Sequence, residues 1–169
     1  MWEYSLTPAE EAIAVQVGYK RQEQFFGRPE MNVNYSEGDL WETWQHGVCA
    51  GSELAFARML GFDTFIPHYN EFKLIQDIPK VGEIRYTFNY SRGMRFSTRD
   101  AKNEIYILMV EGLAKRTRRI APDYVSNPYK AVGWLWGFQC MEKDWKYNET
   151  TWYAPLDCLR PMETLLDHA

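Results

Sequence analysis

Cysteine, histidine and excess positive charge are all scarce in this chain, and each scarcity removes a class of function. The three cysteines, Cys49, Cys140 and Cys158, are odd in number and form no CxxC pair. They sit among apolar or aromatic neighbours, which predicts buried free thiols in a reducing compartment and excludes a disulfide framework. The three histidines, His46, His68 and His168, show no metal-ligand spacing and give a cysteine nucleophile little choice of base. His46 and His68 are expected to be ordinary surface or hydrogen-bonded side chains. Nineteen basic residues stand against 23 acidic ones, a net charge of −4, so the chain as a whole carries no footprint of a nucleic-acid binder. Local basic patches stay open.

Other features are missing altogether. The start, Met1-Trp2-Glu3-Tyr4-Ser5, has neither the basic nor the apolar region of a signal peptide. No stretch approaches the ~20 apolar residues of a membrane span. A soluble, cytoplasmic protein is expected. No glycine-rich phosphate loop, Gly-x-Ser-x-Gly elbow, zinc pattern, internal repeat, low-complexity segment or linker occurs. The 169 residues are therefore expected to form a single domain, 1–169.

What the chain does have is aromatic side chains, with seven Trp, eleven Tyr and nine Phe. Rings bury large areas and suit a core; a platform for stacking bases is the sharper alternative. Thr7-Pro8-Ala9-Glu10 combines an N-cap hydroxyl, proline at the first helical position and Glu three residues past the cap, so a helix starts there. Ala9, Ala12, Ile13 and Val17 would form its apolar stripe, and Gly27 and Pro29 its end. A second helix carries Trp41 and Trp44 on one face and runs through Cys49–Leu60 to a stop at Gly61. From Thr64 the period changes to two. An extended segment with Phe72, Leu74 and Asp77 ends at Pro79. In Val81–Tyr90, Ile84, Tyr86 and Phe88 face one way and Glu83, Arg85 and Thr87 the other. Met94–Thr98 reads as a strand, Arg99–Asn103 as a turn and Val132–Cys140 as an aromatic-rich strand. Ile105–Val110 is apolar without a break, the mark of a central strand covered on both faces. Leu156–Leu159 reads as a turn closed by Pro161, with a frayed tail beyond. Helices followed by mostly antiparallel strands give an α/β (α+β) class, N-terminal helices packed on a mixed, mostly antiparallel central sheet.

Three carboxylates stand out as candidates for chemistry. Glu53 has Cys49, Ala50, Phe56 and Ala57 as its helical neighbours, all non-charged, so its acid is expected to be part-buried and to need a partner or a metal. A salt bridge to Arg58 or Arg85 is the structural alternative. Asp77 and Glu83 flank a turn with Pro79 and Gly82, and Arg85 shares a strand face with Glu83. An aspartate followed by Glu-x-Arg suits a divalent-metal phosphodiesterase: the acids hold Mg²⁺ or Mn²⁺, and the cation steadies developing charge. A solvated strand face with a cross-strand pair is the plainer reading. Lys115, Arg116, Arg118 and Arg119 form a basic cluster suited either to a phosphate backbone or to a solvated loop. Arg92, Arg95 and Arg99 add positive charge nearby.

Several segments together resemble a family of small bacteriophage proteins over most of the chain. They are Leu6–Glu10, Ala50–Ala57, Asn70–Lys73 with Asp77, Gly82–Arg85, Arg99-Asp100, Tyr106–Gly112, Gly133-Trp134 and Leu159–Pro161. The layout of a helix Glu, then Asp, then Glu-x-Arg is similar to the PD-(D/E)xK nuclease-like superfamily. The resemblance implies a nuclease-like fold and Glu53, Asp77 and Glu83 as ligands of Mg²⁺ or Mn²⁺. It puts Arg85 where lysine is usual, DNA as substrate or partner, and host-cell cytoplasm as location. Two departures accompany it: the gap from Asp77 to Glu83 is short, and arginine steadies charge but does not act as a base. A non-catalytic accessory or host-factor-inhibiting module, with a Glu53–Arg85 ion pair, is the alternative the same residues allow.

Overall fold

A computed structural model describes residues 2–24, 38–69, 76–87, 93–111 and 128–168, with residues 38–43 and Glu111 described by backbone alone. In chain order the elements are β1 (Glu3–Tyr4), α1 (Pro8–Glu23), α2 (Gly38–Met59), β2 (Glu83–Thr87), β3 (Met94–Ser97) and β4 (Ile105–Glu111). They continue with β5 (Tyr129–Trp136), α3 (Gly137–Cys140), β6 (Lys146–Asn148) and β7 (Thr151–Ala154). Short 3₁₀ turns occupy Lys143–Trp145, Leu156–Cys158 and Met162–Asp167.

The first helix forms where its local chemistry dictates. Glu10 N donates to Thr7 Oγ1 at 3.3 Å and Thr7 N donates back to Glu10 Oε2 at 2.9 Å, closing the capping box. Tyr4 Oη and Arg58 Nε also donate to Glu10, so one carboxylate ties β1, α1 and α2 together. The buried face of α1 differs from the apolar stripe expected. Ala9 and Ala12 are exposed, and the face against α2 consists of Glu10, Ala14, Val17, Gly18, Arg21 and Gln22. Two charged groups sit on the inner side because each finds a charged partner on α2. The expected end signals, Gly27 and Pro29, lie outside the described residues. The helix itself closes at Gln24, whose N–H donates to Arg21 O.

Four strands form one sheet in the order β1-β5-β4-β2, and β3-β7-β6 form a second. In the larger sheet β2 runs parallel to β4, while β5 is antiparallel to β4 and β1, so the sheet is mixed. This is the α+β class expected. The helices cover one face and the small sheet the other. Ile105, Ile107 and Met109 of β4 pack towards the helices with Leu54, Phe56 and Ala57, while Tyr106, Leu108 and Val110 pack towards Met94, Phe96 and Ala154. Burial on both sides is why β4 is apolar at every position through Val110. Rings fill these layers: Trp134, Tyr106, Tyr129, Phe56 and Phe96 are each under 2 % exposed or about 2 %. A side chain of that size contributes about 1.5–3 kcal/mol by leaving water. Gly51 lets α2 come down on β5, because a Cβ there would strike the Tyr129 hydroxyl.

Three further expectations are corrected. The aromatic segment 132–140 is a strand only to Trp136. Its last four residues turn into α3, with Gly137 N and Phe138 N donating to Glu104 O and Lys102 O at 2.8 Å each. The tail is held: Met162 and Leu165 are buried, and Trp134 Nε1 donates to Pro161 O and Thr164 Oγ1 at 3.1 Å. Cys158 is exposed, whereas Cys49 and Cys140 fit the expected pattern of enclosed, unpaired thiols. Burial pushes the Cys49 thiol up to about 12, which leaves it no nucleophilic thiolate near neutral pH. No described helix is long and apolar enough to cross a membrane.

Candidate functional site

A tight turn brings two of the three candidate acids together. Ile78 N donates to Gly82 O at 3.0 Å and Gly82 N to Ile78 O at 3.1 Å, an isolated antiparallel bridge. Residues one step outside such a bridge are cross-strand neighbours, and those residues are Asp77 and Glu83. The short gap between them is therefore what sets them side by side. The turn needs unusual backbone: Lys80 has φ 67° and Gly82 φ 149°. A Cβ at Gly82 would also collide with Ile105 O, so only glycine fits. Asp77 lies in a bend, not the extended segment expected, and Phe72 and Leu74 lie outside the described residues.

Asp77 sits at the outer edge of β2, where its Oδ2 accepts from Ile84 N at 2.8 Å. The Asp77 and Glu83 carboxyls interact closely enough to share a proton. Burial pushes the Glu83 carboxyl up to about 8, and the negative charge of Asp77 adds to the effect. Burial also raises Asp77, against the pull of the Ile84 N–H and the guanidinium groups of Arg21 and Arg85. Two contacting carboxyl groups cannot both ionise cheaply, which is how paired acids come to share a proton.

Glu53 has a different fate. Arg21 Nη1 and Nη2 donate to its Oε1 and Oε2 at 2.7 and 2.8 Å, and Arg21 Nε donates to His68 O at 2.7 Å. Side-chain exposure is 2 % for Arg21 and 5 % for Glu53, so this is a buried two-pronged ion pair. Its cation comes from α1, not from Arg58 or Arg85. Arg58 serves Glu10, and Arg85 Nη2 donates to Asp100 Oδ1 at 2.7 Å. Burial pushes Glu53 up to about 8, with Asp77 and Glu83 acting the same way and Arg21 against. The three acids thus sense one another around the edge of β2: Glu53 from the helix layer, Asp77 from the edge, Glu83 from the strand.

Arg85 is held by Asp100 and lies over the Tyr106 ring, 4.9 Å from its centroid. In the sequence Asp100 stands out only by its place in a turn and by the Arg99-Asp100 segment of the resemblance. It also accepts from Ser97 N at 2.8 Å, which anchors β3 beside β2. Lys115, Arg116, Arg118, Arg119 and Arg92 lie outside the described residues, while Arg95 and Arg99 are exposed. His46 lines a cleft beside β2, and His68 contributes its backbone oxygen to Arg21.

The donor set fits a cation in part. Asp77 and Glu83 supply two hard oxygen donors in contact, the type Mg²⁺ and Mn²⁺ prefer. Glu53 does not complete a set of three, because both its oxygens are taken by Arg21. No group of three or more His, Cys, Asp or Glu side chains is arranged to hold a metal among the described residues. Compared with protein-family models, with curated proteins and with solved structures, the chain matches none.

Proposed function

We propose that the Asp77–Glu83 carboxyl pair is the functional centre of a nuclease-like protein, holding a divalent cation for phosphodiester hydrolysis in DNA. The observation that carries this reading is the pairing of two acids across the Ile78–Gly82 bridge, each with its proton held more tightly by burial. Perturbed acids of this kind concentrate at functional sites. The shared proton marks the place a divalent cation would take, and such a cation would activate water and offset phosphate charge. The chain's own residues have distinct tasks. Asp77 is fixed at one oxygen by the Ile84 N–H. Arg85, steadied by Asp100 and Tyr106, offers a permanent positive charge to a phosphate. Glu53 acts through Arg21 as a positioning residue. Lys115, Arg116, Arg118 and Arg119 would contact the DNA backbone.

The test is calorimetric titration with Mn²⁺ and Mg²⁺, alongside plasmid incubation. Saturable binding that disappears in Asp77→Asn and Glu83→Gln, with cleavage lost in both, is the expected result. Native protein that neither binds Mn²⁺ at millimolar concentration nor cuts DNA would sink the proposal. A second reading, a non-catalytic accessory module, is favoured by one observation: Arg21 occupies both oxygens of Glu53. It predicts Mn²⁺ binding without cleavage.

A further inference from the structure

The geometry points to the cleft between α2, β2 and the small sheet as a binding site for a phosphate-bearing ligand with a flat ring, a mononucleotide unit in size and chemistry. The cleft has a volume of about 490 Å³ and opens beside β2. That lies within the ~300–1,000 Å³ range of small-molecule pockets. None of Glu53, Asp77 and Glu83 lines it, but Arg85 does, so the cleft adjoins the carboxyl pair and shares that arginine with the proposed function.

Its charge is the reverse of the chain's. In a protein of net charge −4, two arginines, Arg85 and Arg95, line the cleft among the described residues, against one acid, Asp100. That acid is fully spent, with Oδ1 on Arg85 and Oδ2 on the Ser97 N–H. Arg85 keeps donors in reserve, since its buried Nε has no hydrogen-bond partner among the described residues. A buried N–H left unpaired is costly, and an anionic oxygen would satisfy it. Arg95 is exposed and faces Tyr153 across the β3–β7 ladder. Tyr153 also lines the cleft, and its ring, in T-shaped contact with Tyr147 at 5.5 Å, supplies an aromatic surface against which a base can pack. Guanidinium groups for the phosphate and a tyrosine for the ring give this ligand class both of its contacts.

The inference needs no cation, and its test is run in EDTA. The full-length chain is titrated calorimetrically with a nucleoside monophosphate, the matching nucleoside and inorganic phosphate. Binding in the order monophosphate, then phosphate, then nucleoside is expected. Arg95→Gln, at an exposed position, is expected to weaken monophosphate and phosphate binding about tenfold, the loss of one charge-assisted hydrogen bond. Tyr153→Leu is expected to weaken the monophosphate only. Thermal melts establish that both variants fold, and Arg85→Lys serves if either does not. Equal binding of nucleoside and monophosphate, no binding at millimolar concentration, or binding unchanged in both Arg95→Gln and Arg85→Lys overturns the inference. Protein that binds nucleotide in EDTA but neither takes up Mn²⁺ nor cuts DNA retains this site and loses the proposed function.

Discussion

Glu53 and Glu83 are both acids pushed up to about 8 by burial, yet the chain treats them in opposite ways. Glu53 receives a guanidinium on both oxygens inside the helix layer. Glu83 receives another acid, at the edge of a sheet. The first arrangement balances charge locally and suits holding α1 to α2. The second leaves an imbalance that a proton or a cation must fill, and it has no structural benefit that a neutral pair would lack. Buried acids therefore differ in meaning according to what faces them.

The comparison can be broken first at the ion pair. Arg21→Met leaves Glu53 buried and unpaired, and removing one member of such a pair costs about 3–5 kcal/mol. Urea unfolding should show that loss, and the Arg21→Met/Glu53→Leu double variant should recover most of it. A single-variant loss below about 1 kcal/mol would mean that the pair holds nothing.

The acid pair predicts the opposite sign. With its pKa raised in the folded state, Glu83 keeps a proton that the unfolded chain has lost above about 4.5. Its contribution is therefore full below pH 4.5 and falls away as pH rises towards 8. Glu83→Gln should flatten this decline, giving a gain of about 1–2 kcal/mol at pH 8 once partial exposure and screening are allowed for. A variant that is less stable than the native chain at pH 8 would place Glu83 with Glu53 as a structural acid. The smallest effect belongs to the Arg58–Glu10 pair, whose side chains are each 11 % exposed. Glu10 keeps its bonds from Thr7 and Tyr4 when Arg58 is replaced. Arg58→Gln should cost about 0.5–1 kcal/mol, read as a small shift of the urea midpoint.

Features governed by near neighbours in sequence were legible in advance. The Thr7–Glu10 capping box, the stop at Gly61, the turn at Arg99–Asn103 and the two-sided burial of Ile105–Val110 all follow from local pattern. Features that depend on a remote partner were not. The strand Glu3–Tyr4 is two residues long and exists because Tyr129 and Lys130 lie opposite. Glu53 could be seen to need a cation, but its partner lies 32 residues away on a face read as apolar. The residues after Trp136 continue an aromatic pattern that suits a strand, and they coil because the carbonyls of Lys102 and Glu104 capture their N–H groups. At the site, the pairing of Asp77 with Glu83 was implicit in Pro79 and Gly82. The cleft was not, since Arg85, Arg95 and Tyr153 meet only once two sheets are stacked.

The hydrogen bond from Ile84 N to Asp77 bears on assembly as well as on chemistry. Among the described residues β2 is an outer strand, and an outer strand with open N–H groups is a template on which a second chain can add. Asp77 occupies that template with a negatively charged side chain, so the acid is also a guard on the sheet's margin. Asp77→Asn keeps the acceptor and should leave the chain monodisperse under light scattering relative to the native protein. Asp77→Ala frees the Ile84 N–H and should raise concentration-dependent self-association. Whatever this site does in solution, its aspartate also limits what the protein does to itself.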